Sequence, residues 1–182
     1  MVIPGEITEI VGRRSSGRTS ALLACLAGVT RAGGIAALID SEDALDVESA
    51  AHAGVELKRL LWVRCGRVRR QAALRAVDML ARCQGFAVVA WDVGDTPPRL
   101  SLALAFRLRL AARQGGAALL IVAPRRIAGA AATLAVEAER RGTRWEGRPP
   151  LPARLAGARV GLRVLRSRRG PPAGPESWEL LA

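Results

Sequence analysis

The chain has 182 residues, 50% of them apolar, and carries a formal charge of +12 from 28 basic and 16 acidic side chains. This composition excludes a disordered chain and suits one domain, residues 1–182, with a substantial core. No apolar run reaches the roughly 18 uncharged residues of a membrane span, and Met1 leads almost directly into an apolar strand. A cytoplasmic protein without a transmembrane helix or signal peptide is therefore expected.

In chain order, Ile7–Val11 reads as a buried strand running into the loop Gly12-Arg13-Arg14-Ser15-Ser16-Gly17-Arg18-Thr19. A helix over Thr19–Arg31 follows, and Gly33-Gly34 ends it. Ile35–Ile39 is a continuous apolar run, as in a strand buried on both faces. Ala44–Ala53 predicts a short helix and Leu61–Val63 a brief strand. Arg69–Gln84 carries Ala73, Val77, Leu80 and Ala81 on one helical stripe. Phe86–Trp91 is a buried strand ended by Asp92, and Pro97-Pro98 precedes a helix at Leu100–Arg113. Ala117–Val122 is the next strand.

Beyond Pro124 two readings compete. Leu134–Ala138 alternates like a half-exposed strand, whereas the alanine-rich Ala130–Arg141 also suits a helix. Arg148–Pro152 reads as a loop. Gly161–Arg166 and Ser177–Leu181 bracket Gly170–Pro175 as an antiparallel pair. The expected fold is α/β: a mostly parallel, doubly wound sheet with antiparallel C-terminal strands.

Cys25, Cys65 and Cys83 have no C-x-x-C spacing, and His52 is the single histidine, which fits free thiols in a reducing compartment. Residues 1–98 hold 12 basic and 11 acidic side chains, residues 99–182 hold 16 and 5. A basic second half fits an anionic partner, nucleic acid or an acidic protein face, although a solvated arginine-rich surface gives the same count. Arg64, Arg67, Arg69 and Arg70 form one cluster. Arg163, Arg166, Arg168 and Arg169 form a denser one, the first candidate for an anion or partner contact. Trp62 and Trp91 fall on strands and belong to the core. Trp145, set amid charge, suits an interface anchor or edge packing.

The loop matches G-x-x-x-x-G-K-[ST] in strand–loop–helix context, with Arg18 in place of lysine. Glycines let backbone N–H groups converge on phosphate oxygens at a helix N-terminus. Gly12, Ser15, Ser16, Gly17, Arg18 and Thr19 are thus the candidate nucleotide contacts. An arginine is bulkier and forked, so the exchange is not conservative there. Asp92, at a strand end, and Thr19 are placed to hold Mg²⁺, and Glu42, past the second strand, to orient an attacking water.

GEITEIVGRRSSGRTS followed by ALIDSEDALD resembles the RecA recombinase core. The likeness implies a RecA-like P-loop fold, with Glu42 catalytic, Asp46 near adenine, and Arg166 and Arg168 matching a basic pair that reaches a neighbouring subunit's nucleotide. The departures imply lost functions. The adenine-stacking aromatic falls near Ser49, and the γ-phosphate-sensing Asn-Gln pair corresponds to Pro124-Arg125. The segments matching the DNA-binding loops, near Thr96–Ser101 and Ile127–Thr133, are short. Neither a polymerisation segment nor a C-terminal domain is expected.

LLWVRC, FRLRLAAR, ALLIVA and TRWEG look like the ImuA-type, SulA-related RecA-like proteins. That resemblance implies a non-filamenting accessory role in translesion synthesis and SOS mutagenesis. Its partners would be an ImuB-type polymerase homologue and an error-prone polymerase, with RecA or DNA as further ones. The rivals are a working, DNA-stimulated ATPase using ATP and Mg²⁺, and a nonspecific DNA-binding module.

Overall fold

The computed structural model describes residues 2–66, 70–148, 154–170 and 177–181. In it, β1 (Ile7–Val11) leads to α1 (Arg18–Arg31), then β2 (Ile35–Asp40), α2 (Val47–His52) and β3 (Leu60–Arg64). Next come α3 (Arg70–Arg82), β4 (Phe86–Asp92), α4 (Leu102–Gly115) and β5 (Ala118–Ala123). The chain ends in β6 (Ala132–Glu146), β7 (Arg154–Ser167) and β8 (Ser177–Leu181). All eight strands form one sheet in the order β3-β2-β4-β5-β1-β6-β7-β8.

The five apolar runs pair in parallel, and β6 joins β1 in parallel before turning antiparallel into β7 and β8. Strand periodicity of two splits the core between the faces. Ile10, Leu38, Val88, Ala90, Leu120 and Val122 pack with Leu22 and Leu26 of α1. Their neighbours Ile7, Ile39, Val89, Trp91, Leu119 and Ile121 pack with Val77 of α3 and Leu108 of α4. Because both faces are covered, β4 and β5 read as unbroken apolar runs rather than alternating ones.

Three boundaries depart from expectation, each for a local reason. The helix expected from Ala44 begins only at Val47, because Asp40 wraps the preceding turn. Its carboxylate accepts the N–H groups of Glu42 (3.2 Å), Ala44 (2.8 Å) and Leu45 (2.9 Å). The α4 helix starts at Leu102 because Ser101 caps it, its hydroxyl accepting from Leu104 N–H at 3.2 Å. The alanine-rich stretch after Pro124 is a strand, not a helix. Inserted between β1 and β7, it satisfies its backbone on both sides, and that pairing overrides alanine's helix propensity.

Nor is this strand half-exposed at its start, since Ala135 and Val136 are fully buried. Trp91 is core, with Nε1 donating to Ser41 Oγ at 2.9 Å. Trp62, on the edge strand β3, is half-buried beneath the Arg64 guanidinium, 4.6 Å from its ring centre. Pro149–Pro152, Pro171–Pro175, Arg67 and Arg69 lie outside the described residues. Among the described residues, no helix is long and apolar enough to cross a membrane.

Glu6 ties the helical layer to the sheet. Its carboxylate accepts from Arg109 (2.8 Å), Arg113 (2.8 Å) and the Thr133 hydroxyl (2.5 Å), linking β1, α4 and β6. Burial pushes this carboxyl up, but the bonds from Arg113 and Thr133 and the two guanidinium charges outweigh it, leaving a pKa of about 2 against an ordinary 4.5. A lowered carboxyl contributes stability that is complete above the unfolded pKa and lost as pH falls through the folded one. Urea midpoints are therefore expected to drop between about pH 5 and pH 2, with Glu6 responsible for at most about 3 kcal/mol. A Glu6→Gln variant should flatten that slope, and an unchanged slope would remove the assignment.

Candidate functional site

The sheet reverses its winding at β1, so the crevice beyond its carboxyl end is where an open α/β sheet places a ligand. Val11 passes into Gly12, whose N–H continues the ladder to Ala123 O at 3.2 Å. A Cβ on Gly12 would lie 2.2 Å from Ser16 Oγ, so only glycine lets the loop fold back on itself. Ser15 (φ 61°) and Gly17 (φ 97°) adopt left-handed backbone conformations. Gly17 caps α1 with no side chain, leaving the first N–H groups of the helix without a side-chain acceptor. The Ser16 hydroxyl is buried with no hydrogen-bond partner among the described residues.

Gly17 also underlies the cleft wall, since a Cβ there would approach Val160 Cγ2 of β7 to 2.3 Å. Gly17→Ala combines that overlap with a disfavoured φ and is expected to cost about 2 kcal/mol or more. Chemical unfolding measures it; a loss under about 0.5 kcal/mol would show that the loop relaxes freely.

An open cleft of about 370 Å³ stands over the loop. Thr19 and Ser20 of α1 line it with Arg14 and Arg18, and Ala158, Val160 and Arg140 of the β6–β7 ribbon line it too. The remaining lining side chain of consequence is Asp95. Arg18 Nη1 donates to Gly12 O at 3.0 Å while Nη2 is ion-paired with Asp95 Oδ1. Arg14 Nε is ion-paired with the other oxygen, Asp95 Oδ2. Hydrogen bonds from Arg14 and Arg18 hold the Asp95 carboxyl below its ordinary range, so it is anionic at neutral pH.

The other acids surround this cluster. Glu42 Oε1 accepts the Asp95 N–H at 3.1 Å, and its side chain lies across Gly94, where a Cβ would fall 2.3 Å from Glu42 Cδ. Asp92 accepts the Gly94 N–H at 2.9 Å. Burial pushes the Asp92 carboxyl up, opposed by that N–H and by Arg18 and assisted by Asp40 and Glu42. Gly12, Ser15, Ser16, Gly17, Arg18, Thr19, Glu42 and Asp92 therefore gather at one end of the sheet.

Asp46 does other work: it caps α2, accepting the Ser49 N–H at 3.1 Å and the Ser49 hydroxyl. The C-terminal arginines differ in their partners. Arg163 pairs with Glu137 and, at 2.9 Å, with Glu139. Arg166 and Arg168 donate to Gly129 O (3.2 Å) and Ala130 O (2.7 Å), while Arg169 is exposed. Trp145 is 59% exposed, with its Nε1 donating to Thr143 Oγ1 at 3.0 Å.

Asp95 and Arg140 were not legible as site residues. The only available signal for Asp95 was its position shortly after a buried strand's terminal aspartate. Its two arginine partners lie 77 and 81 positions earlier.

A glycine-built loop between a central parallel strand and a helix N-terminus defines a P-loop α/β protein. The RecA N-terminal domain family matches residues 2–131, and the chain belongs to it. It is 42% identical over 99 residues to Protein RecA of Tropheryma whipplei (strain Twist), covering 54% of this chain and 22% of that protein. The corresponding figures are 43%, 54% and 27% for Protein RecA of Clavibacter michiganensis subsp. michiganensis (strain NCPPB 382). For Protein RecA of Nostoc punctiforme (strain ATCC 29133 / PCC 73102) they are 42%, 54% and 27%. The matched stretch thus spans about a quarter of these curated relatives, between 22% and 27%.

The residues present fit a nucleotide with Mg²⁺ only in part. The backbone cradle, with its unpartnered Ser16 hydroxyl, is shaped for an anion. The cation that should meet the outer phosphates is instead engaged with Gly12 O and Asp95. A forked guanidinium held at both ends cannot reach outward as a flexible ammonium does.

Proposed function

We propose that this chain is a RecA-like accessory protein of DNA-damage tolerance, of the ImuA-type, SulA-related kind, acting through contacts with other proteins and not through nucleotide turnover. The observation that carries this reading is Arg18, folded back onto Gly12 and Asp95 where a P-loop lysine would face phosphate. The segment after β5 supports it. Glu9 accepts the Ile127 and Ala128 N–H groups at 2.6 and 2.7 Å, and Ala128, Ala131 and Ala132 are fully buried. A pinned, buried turn is unsuited to serve as a mobile DNA-binding loop.

Its partners would be an ImuB-type polymerase homologue and an error-prone polymerase, with exposed Trp145 a candidate anchor on the far end of β6. Calorimetric titration with ATP and Mg²⁺ tests the loss of turnover: no micromolar binding and no hydrolysis are expected. Micromolar binding, with hydrolysis abolished by Glu42→Gln, overturns the reading in favour of an ATPase. Co-purification with the two polymerase-type partners, weakened by Trp145→Ala, tests the contact. Failure of the purified proteins to associate removes it.

A further inference from the structure

The cleft contains its own anion. Arg14 and Arg18 converge from the loop on the two oxygens of one carboxylate, so Asp95 occupies the two arginines that an entering anion would meet. Asp95 is not a loose surface acid. Its backbone N–H is held by Glu42, and the turn leading to it is fixed by the Asp92 bond to Gly94. Of its two partners, Arg18 is nearly buried, with 11% of its side chain exposed, and Arg14 is open at 78%. Arg140 faces the same cleft and makes no ion pair among the described residues. Two of the three guanidinium groups lining the cleft are thus paired with one carboxylate.

We infer that Asp95 is a resident counter-ion that sets the charge selectivity of this cleft: weakly charged anions are excluded, and a polyphosphate enters only by taking both arginines from it. The physical reason is competition for the same donors. A singly charged anion offers the arginines no more charge than the carboxylate they already hold, and it faces that fixed carboxylate at close range, where like charges are costly. A chain of phosphates can engage Arg14, Arg18 and Arg140 together with the open N–H groups of α1, and replaces the carboxylate with more charge than it displaces. Arg14, being exposed, is the partner that can swing out first, and Arg18 then exchanges carboxylate for phosphate in place.

This inference rests on the reading of the cleft as an anion cradle without turnover. Its test uses inorganic tripolyphosphate, without metal, titrated at constant ionic strength against wild type, Asp95→Asn and Arg18→Ala, each checked for folding by thermal melting. Asparagine keeps the backbone bond to Glu42 and removes the charge. Asp95→Asn is expected to bind tripolyphosphate about tenfold tighter or more, and to admit acetate or inorganic phosphate that wild type rejects. Arg18→Ala should lose the binding. Equal affinity in wild type and a folded Asp95→Asn overturns the proposal.

If that variant does not fold, the wild-type Asp95 carboxyl can be followed by NMR. Saturating tripolyphosphate should raise its apparent pKa by removing its arginines, and an unchanged titration is the overturning result. ATP hydrolysis by wild type would overturn the functional reading above but leave the role of Asp95 standing. Unchanged tripolyphosphate affinity in Asp95→Asn would do the reverse.

Discussion

Replacing Glu9 by alanine is expected to destabilise the protein by about 3–5 kcal/mol, the scale for removing one partner of a buried, hydrogen-bonded charge. Glu9 is fully buried in the central strand. One of its oxygens accepts two backbone N–H groups, Ile127 at 2.6 Å and Ala128 at 2.7 Å, and the other lies 3.4 Å from Arg126 Nε. Alanine leaves both N–H groups unsatisfied beside β5 and opens a cavity under the turn that leads into β6. Glu9→Gln keeps an oxygen acceptor for the two N–H groups and loses only the charge opposite the partly exposed Arg126, so it should cost much less. Urea unfolding separates the two: a large fall in midpoint for alanine and a small one for glutamine. Equal losses would show that the ion pair with Arg126, not the backbone bonds, is what matters.

The second large effect is at Asp40, where alanine should cost about 2–4 kcal/mol. The residue is 3% exposed, and its carboxylate accepts from Glu42, Ala44 and Leu45 N–H and, at 3.3 Å, from Trp62 Nε1. Removing it unpins the turn that carries Glu42 to the cleft. The consequence therefore reaches beyond stability, because Glu42 holds the Asp95 backbone. In Asp40→Ala, amide hydrogen exchange at residues 42–45 should accelerate far more than in α1. Uniform acceleration across the molecule would mean that only global stability had changed. Trp62 fluorescence offers an independent readout, since its indole loses its acceptor.

The two acids also show why the strand-end carboxylates differ. Asp40 and Asp92 are the last residues of β2 and β4, and Glu42 lies just past β2, where P-loop chemistry places its acids. Asp40 is committed to backbone N–H groups and is structural. Asp92 has a single backbone donor, and Glu42 bridges to the Asp95 turn. Their roles follow from which donors the turns bring within reach, a property of the folded loop and not of the residue type.

Much of this molecule was legible in its residues. Continuous apolar runs at Ile35–Ile39, Phe86–Trp91 and Ala117–Val122 specify strands covered on both faces, because only a sandwiched sheet buries every position. The glycine-bracketed loop from Gly12 to Gly17 specifies its own turn through steric exclusion: serine packed under Gly12 and a left-handed backbone at Gly17 admit no side chain. These are local constraints and can be read locally. The tertiary structure decided what is nonlocal. It made a strand of the alanine-rich segment after Pro124, because β1 and β7 both offered it backbone partners. It likewise divided the dense C-terminal arginines among Glu137, Glu139 and two carbonyls. Most of all, it brought Asp95 to Arg14 and Arg18. Charge pairing depends on distance in space, and chain order carries no record of that until β4 lies beside β5 and β5 beside β1.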